Sequence, residues 1–160
     1  MNTNTLTASK LQAITSDSAN ITAMSAIFQA IAYCETLRPV IEGKKAEILA
    51  FYKFTDKRTG ETIDEPRQAY RLNNEDFEIY LKEMKAFYFS PACPVKPSKP
   101  DNCPLLEAES LVRETKHQVL ELLAPQMGFE PESLFYNLKA YTQFWELMLS
   151  LFASKVKEAI

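Results

Sequence analysis

Residues 137–160, NLKAYTQFWELMLSLFASKVKEAI, decide the fold class. Leu138, Tyr141, Trp145, Met148 and Phe152 recur at the three-and-four spacing of one helical face, and Ala140, Phe144, Leu147 and Leu151 form a second stripe beside it. The two stripes exceed the arc a surface helix turns toward its core. Such a helix needs protein on several sides, supplied by other helices of its own domain or by a second copy of the chain. Gln143, Glu146 and Ser150 interrupt the apolar run, and Lys155, Lys157 and Glu158 follow it closely, which argues against a membrane span. Tyr141, Phe144, Trp145, Met148 and Phe152 are therefore the candidate core or oligomer seam.

The rest of the composition agrees with a helical domain. A chain of 160 residues fits one domain, and at that size folding buries roughly 68–70% of the unfolded surface without metal or disulfide staples. Only 3 glycines are present, too few for a fold with many tight turns. A formal charge of -3 supplies no basic field, so bulk attraction to nucleic acid or anionic lipid is not supported. Cys34, Cys93 and Cys103 are an odd set without paired spacing, and MNTNTLTASKLQAITSDS lacks the regions of a secretion signal. The expectation is a cytoplasmic protein with reduced thiols; whether Cys93 and Cys103 pair under oxidation is left open by the sequence.

Working back from the terminal helix, residues 1–18 carry only Leu6, Leu11 and Ile14 to bury, and a flexible arm is expected there, with residues 19–160 as a single helical domain. Asn20 suits an N-cap, and Met24, Ile27, Ile31 and Cys34 line one face of a helix continuing to residue 52. Pro39 lies inside that pattern and predicts a kink or a break at 37–39. Arg38 and Glu42, four apart, are spaced to pair across it. The turn cluster TDKRTGET at 55–62 predicts a short hairpin near 52–63. Lys53, Lys57 and Arg58 make this the most basic stretch, a candidate contact for a partner or a phosphate, against the plainer alternative of a solvated loop tip.

Asp64, Glu65 and Pro66 open a brief helical segment, and a helix over 74–89 buries Phe77, Tyr80, Leu81 and Met84. Phe87, Tyr88 and Phe89 crowd its end and cannot all face inward, so they are candidate partner-binding anchors as well as candidate caps. Pro91, Pro94, Pro97 and Pro100 repeat at every third position, the period of polyproline II, and predict an extended connection. Pro104 then opens a helix to about residue 124, stopped by Pro125 and Gly128.

Little catalytic chemistry is encoded. His117 is the only histidine; Glu114 and His117 have the E-x-x-H spacing of di-iron bundles, but those sites need a second histidine. A zinc site from Cys34, Cys93, Cys103 and His117 has ligands of the right type and no matching spacing. Cys103, at a helix start before Pro104, is the best candidate nucleophile if His117 lies beside it. Nucleotide-loop, dinucleotide and serine-hydrolase motifs are absent. No catalytic residue, metal ligand or cofactor is assigned.

Two segments, AIAYCETLRPVIEG at 30–43 and NCPLLEAESLVRETK at 102–116, resemble parts of small uncharacterised proteins carried by bacteriophages and prophages. The resemblance spans about residues 26–128 and brings no activity or site residues with it. It implies an accessory protein of phage or mobile-element origin, acting in the host cytoplasm on a host or virion protein. The expectation from all of this is an all-α helical bundle, packed around residues 137–158, with a kinked first helix, a small β-hairpin and a polyproline-II-like connection. Its expected function is non-enzymatic protein binding, as an inhibitor of a host defence protein. Phage assembly or packaging is the alternative and a cysteine-dependent enzyme the next; a homodimer is one arrangement that would cover the terminal helix.

Overall fold

A computed structural model describes residues 6–159. Helices account for most of the chain: α1 (Ala8–Ser16), α2 (Ser18–Tyr52), a 3-10 helix (Pro66–Arg71), α3 (Asn74–Tyr88), α4 (Pro104–Gln126), α5 (Pro131–Phe135) and α6 (Leu138–Ala159). The all-α expectation holds, and no helix among the described residues is long and apolar enough to cross a membrane.

The contacts divide the chain into two compact units, residues 1–31 with 110–160 and residues 32–109. In the first, α6 buries Phe144, Trp145, Met148, Phe152 and Val156 against Met24 and Ile27 of α2, Leu120 and Leu123 of α4, and Leu134 of α5. Leu11 and Ile14 of α1 pack onto the same cluster. Helix α1 occupies residues 8–16 of the segment expected to be a flexible arm, capped by the Thr7 hydroxyl, which accepts from Lys10 N–H at 3.1 Å. The first five residues of that arm lie outside the described residues.

The N-cap of α2 is Asp17, whose carboxylate accepts from Ala19 N–H at 2.9 Å and Asn20 N–H at 3.3 Å. Asn20, expected in that role, is instead buried. Its side-chain N–H donates to Ile14 O at 2.9 Å and Gln126 Oε1 at 2.8 Å, and its oxygen accepts from Gln126 Nε2 at 3.0 Å. The amide pair satisfies groups that would be costly to bury alone.

The second unit has its own core: Leu37, Ile41, Ile48 and Leu49 of α2, Tyr80, Met84, Phe87 and Tyr88 of α3, Leu105 of α4, and Phe54, Ile63 and Leu72 between them. This core includes no residue of α6, which corrects the expectation that every helix packs around the last one. Helix α2 runs unbroken through Pro39 because the buried stripe Ile27, Cys34, Leu37, Ile41 and Ile48 lies on another face. Pro39 is exposed, where water can satisfy the carbonyl that loses its partner. Arg38 pairs with Glu109 of α4 at 3.3 Å rather than with Glu42.

The expected hairpin does not form: among the described residues there is no strand, only a single antiparallel bridge between Thr55 and Thr62. Asp56 N–H donates to Glu61 O at 2.7 Å and Ile63 N–H to Phe54 O at 2.8 Å around that bridge, and the pairing extends no further. The polyproline-II expectation is likewise corrected. Polyproline II has no internal hydrogen bonds, whereas here Cys93 N–H donates to Ser90 O at 3.2 Å and Asn102 N–H to Lys99 O at 3.0 Å. Glu107 in the first turn of α4 gathers the segment, accepting from Ser98 N–H at 2.9 Å, Asn102 Nδ2 at 2.8 Å and the Ser98 hydroxyl. These bonds hold the Glu107 carboxyl below its usual range.

Candidate binding site

The second unit carries an apolar cleft of about 310 Å³, at the lower edge of the size typical of binding pockets. Its floor and walls come from the 3-10 helix, α3 and the start of α4, including Phe77, Tyr80, Leu81, Met84, Tyr88 and Leu106. Helix α3 builds one wall by its spacing. Asn73 caps it, accepting from Asp76 N–H at 2.8 Å; Tyr80 and Met84 turn inward at i and i+4, while Phe77 and Leu81 stand beside them. Phe77 is 38%, Leu81 41% and Leu106 61% exposed, so the cleft opens onto water through apolar side chains that nothing in the described chain covers.

The polar groups lining the cleft are mostly donors. Burial pushes the Tyr80 phenol up to about 12, with Glu42 and Cys103 adding to the shift, and pushes the Tyr88 phenol further up, assisted by a hydrogen bond to Cys103. Both phenols therefore stay protonated at neutral pH. At the rim, Lys85 pairs with Asp101 at 2.6 Å, while Lys45 makes no ion pair among the described residues.

The expected aromatic anchors divide. Phe87 and Tyr88 are buried in the second core, Phe87 beneath the Lys44 ammonium at 5.6 Å from its ring centre, and only Phe89 is exposed, at 45%. Phe87 and Tyr88 end α3 on its inner side, and Phe89 is its C-cap, where the backbone leaves the helix and the ring turns outward. Lys53, Lys57 and Arg58 are all exposed, but they play different parts. Lys53 closes α2 in the left-handed region at φ 52°, its N–H donating to Leu49 O at 3.0 Å. Lys57 and Arg58 belong to a loop built on Asp56.

That loop was only partly legible. Asp56 is 7% exposed, and its carboxylate accepts from Arg58 N–H at 2.8 Å and Thr59 N–H at 3.4 Å, with Arg71 Nη1 at 3.6 Å. Gly60 N–H returns to Asp56 O at 2.9 Å, and Gly60 adopts φ +75°, a conformation glycine takes without strain. Lys57 N–H donates to Arg71 O at 2.9 Å, tying the loop to the end of the 3-10 helix. The signal for this was Asp56 followed by Gly60 within a turn cluster, the pattern of a carboxylate capping its own turn. The contribution of Arg71 had no local signal.

In the first unit, Phe144, Trp145, Met148 and Phe152 are buried by the chain itself and Tyr141 is partly buried, which places the predicted seam in a core. Leu138 at 80% and Leu147 at 44% are the exposed apolar residues of α6. His117 stacks on Phe135 with ring centres 4.7 Å apart. All three cysteines are free and belong to the second unit, whereas His117 belongs to the first. Among the described residues no group of three or more His, Cys, Asp or Glu side chains converges as a metal site.

Searches against protein-family models, curated proteins and solved structures found no match.

Proposed function

We propose that this chain is a non-enzymatic binding protein, an accessory factor of phage or mobile-element origin that acts by occupying the surface of a host protein. The observation that supports a binding role is the open apolar cleft of the second unit, with Phe77, Leu81 and Leu106 exposed around buried Tyr80 and Met84. Its occupant would be an apolar segment of the partner with a carboxylate next to it. The apolar side chains match the cleft walls, the Tyr80 phenol lines them as a hydrogen-bond donor, and Lys45 supplies a cation at the rim. The phage origin is supported by the resemblance of residues 30–43 and 102–116. Those two stretches meet in the Arg38–Glu109 ion pair at 3.3 Å.

The test is affinity capture from host lysate with the wild-type chain and Leu106→Glu, a substitution at an exposed position that leaves the core intact. Recovery of a defence complex by the wild type alone supports the proposal. Recovery of virion proteins instead favours an assembly or packaging accessory, and equal recovery by both chains removes the cleft from either reading. A Cys103→Ser chain that keeps its full biological effect disposes of the cysteine-enzyme alternative. A homodimer through α6 would have to use Leu138 and Leu147, the apolar residues that helix leaves in water.

A further inference from the structure

A second cleft, of about 280 Å³, lies in the same unit and is lined by Asp56, Lys57, Arg58, Thr59, Tyr70 and Arg71. Three cationic side chains stand there against one carboxylate, and that carboxylate is already engaged. Asp56 is nine-tenths buried and is occupied by the Arg58 and Thr59 N–H groups and by Arg71. The side chains of Lys57 and Arg58 make no hydrogen bond or ion pair among the described residues. Arg71 is held in place from two sides, by Asp56 at 3.6 Å and by the Tyr70 hydroxyl, which accepts from its Nε at 3.3 Å. The Lys57 N–H to Arg71 O bond fixes the loop against the end of the 3-10 helix. The result is a cluster with surplus positive charge, in which Arg71 is held, Lys57 and Arg58 are unpaired among the described residues, and two guanidinium groups can grip tetrahedral oxygens. Beside it the Tyr70 ring is 68% exposed, with the Arg71 guanidinium over it at 5.6 Å from the ring centre.

We propose that this cleft binds the phosphoryl group of a small phosphate monoester, with Arg58 and Arg71 as its principal ligands and Lys57 and the Thr59 hydroxyl as supporting donors. The site shares no lining residue with the apolar cleft.

The experiment is an amide NMR titration of the full chain with inorganic phosphate, against chloride controls of matched ionic strength. Saturable shifts confined to residues 56–60 and 70–71 are expected. Arg58→Gln and Arg71→Gln should each weaken the affinity roughly tenfold, and Lys96→Gln should leave it unchanged. Arg58→Gln is the decisive variant, because the fold uses the backbone of Arg58 and not its side chain. Shifts that fail to saturate, that spread over the lysine-bearing surface, or that survive Arg58→Gln at full size overturn the proposal. A nucleoside 5′-monophosphate and a sugar phosphate then separate the sources. Tighter binding of the nucleotide, kept by Tyr70→Phe and abolished by Tyr70→Leu, identifies a base stacked on the Tyr70 ring, and equal binding identifies recognition of the phosphoryl group alone.

Discussion

Asp56 shows how one side chain can replace an element. The alternation flanking TDKRTGET suggested paired strands, and Asp56 N–H to Glu61 O at 2.7 Å and Ile63 N–H to Phe54 O at 2.8 Å bracket the single bridge that forms, while the Asp56 carboxylate takes up the N–H groups two and three residues ahead. The same bonds leave a titration signature. The Arg58 N–H, with Thr59 and Arg71 assisting, holds the native carboxyl below its ordinary 3.8, so the native chain stays ionised at pH values where the unfolded chain takes up the proton. The stabilisation is complete above 3.8 and is lost as pH falls through the depressed native value. Asp56→Asn should therefore unfold more readily than wild type at about pH 7, with the gap in urea midpoint narrowing toward about pH 2. A gap of constant size across that range would show that the ionised carboxylate is not what matters.

At the scale of elements, periodicity located the long helices closely. The expected 20–52, 74–89, 104–124 and 137–158 correspond to 18–52, 74–88, 104–126 and 138–159. Helices are written by local spacing and caps, which a single chain displays. Helix α1 forms within the expected arm, and the hairpin and polyproline strut fail where a side chain from outside the segment, or buried within it, engages the backbone: Asp56 with Arg71 in one case, Glu107 in the other. Helix α6 also differs from its sequence reading, since its second stripe is only partly used. Met148 is fully buried and Leu147 is 44% exposed. Met148→Ala should cost about 2–5 kcal/mol in denaturant unfolding, and Leu147→Ala within about 0.5 kcal/mol. Equal costs would mean that something beyond the described chain encloses α6, a second copy being the first candidate.

Across the whole molecule, the boundaries between the two units fall inside helices, at residues 31/32 of α2 and 109/110 of α4, and no flexible linker separates them. Units joined by uninterrupted helices should not unfold separately, because opening one would fray a helix that the other needs. The chain supplies natural probes. Its one tryptophan, Trp145, lies in the first core, and the buried thiols Cys34 and Cys93 lie in the second unit. Tryptophan fluorescence and thiol labelling should therefore report coincident urea transitions, and midpoints that separate would show two independent domains. The sequence by itself determined that the chain is helical, where its long helices begin and end, and that α6 carries a core-forming face. Those properties follow from spacing of three and four, from caps and from scarce glycine, all of them local. Only the tertiary structure decided that there are two cores, that Asn20 joins Gln126, that Phe89 alone of its aromatic triplet faces water, and that Arg71 completes a cationic cleft with Arg58. These depend on pairs of residues far apart in the chain, and no periodicity within one segment records which distant side chain will come to meet it.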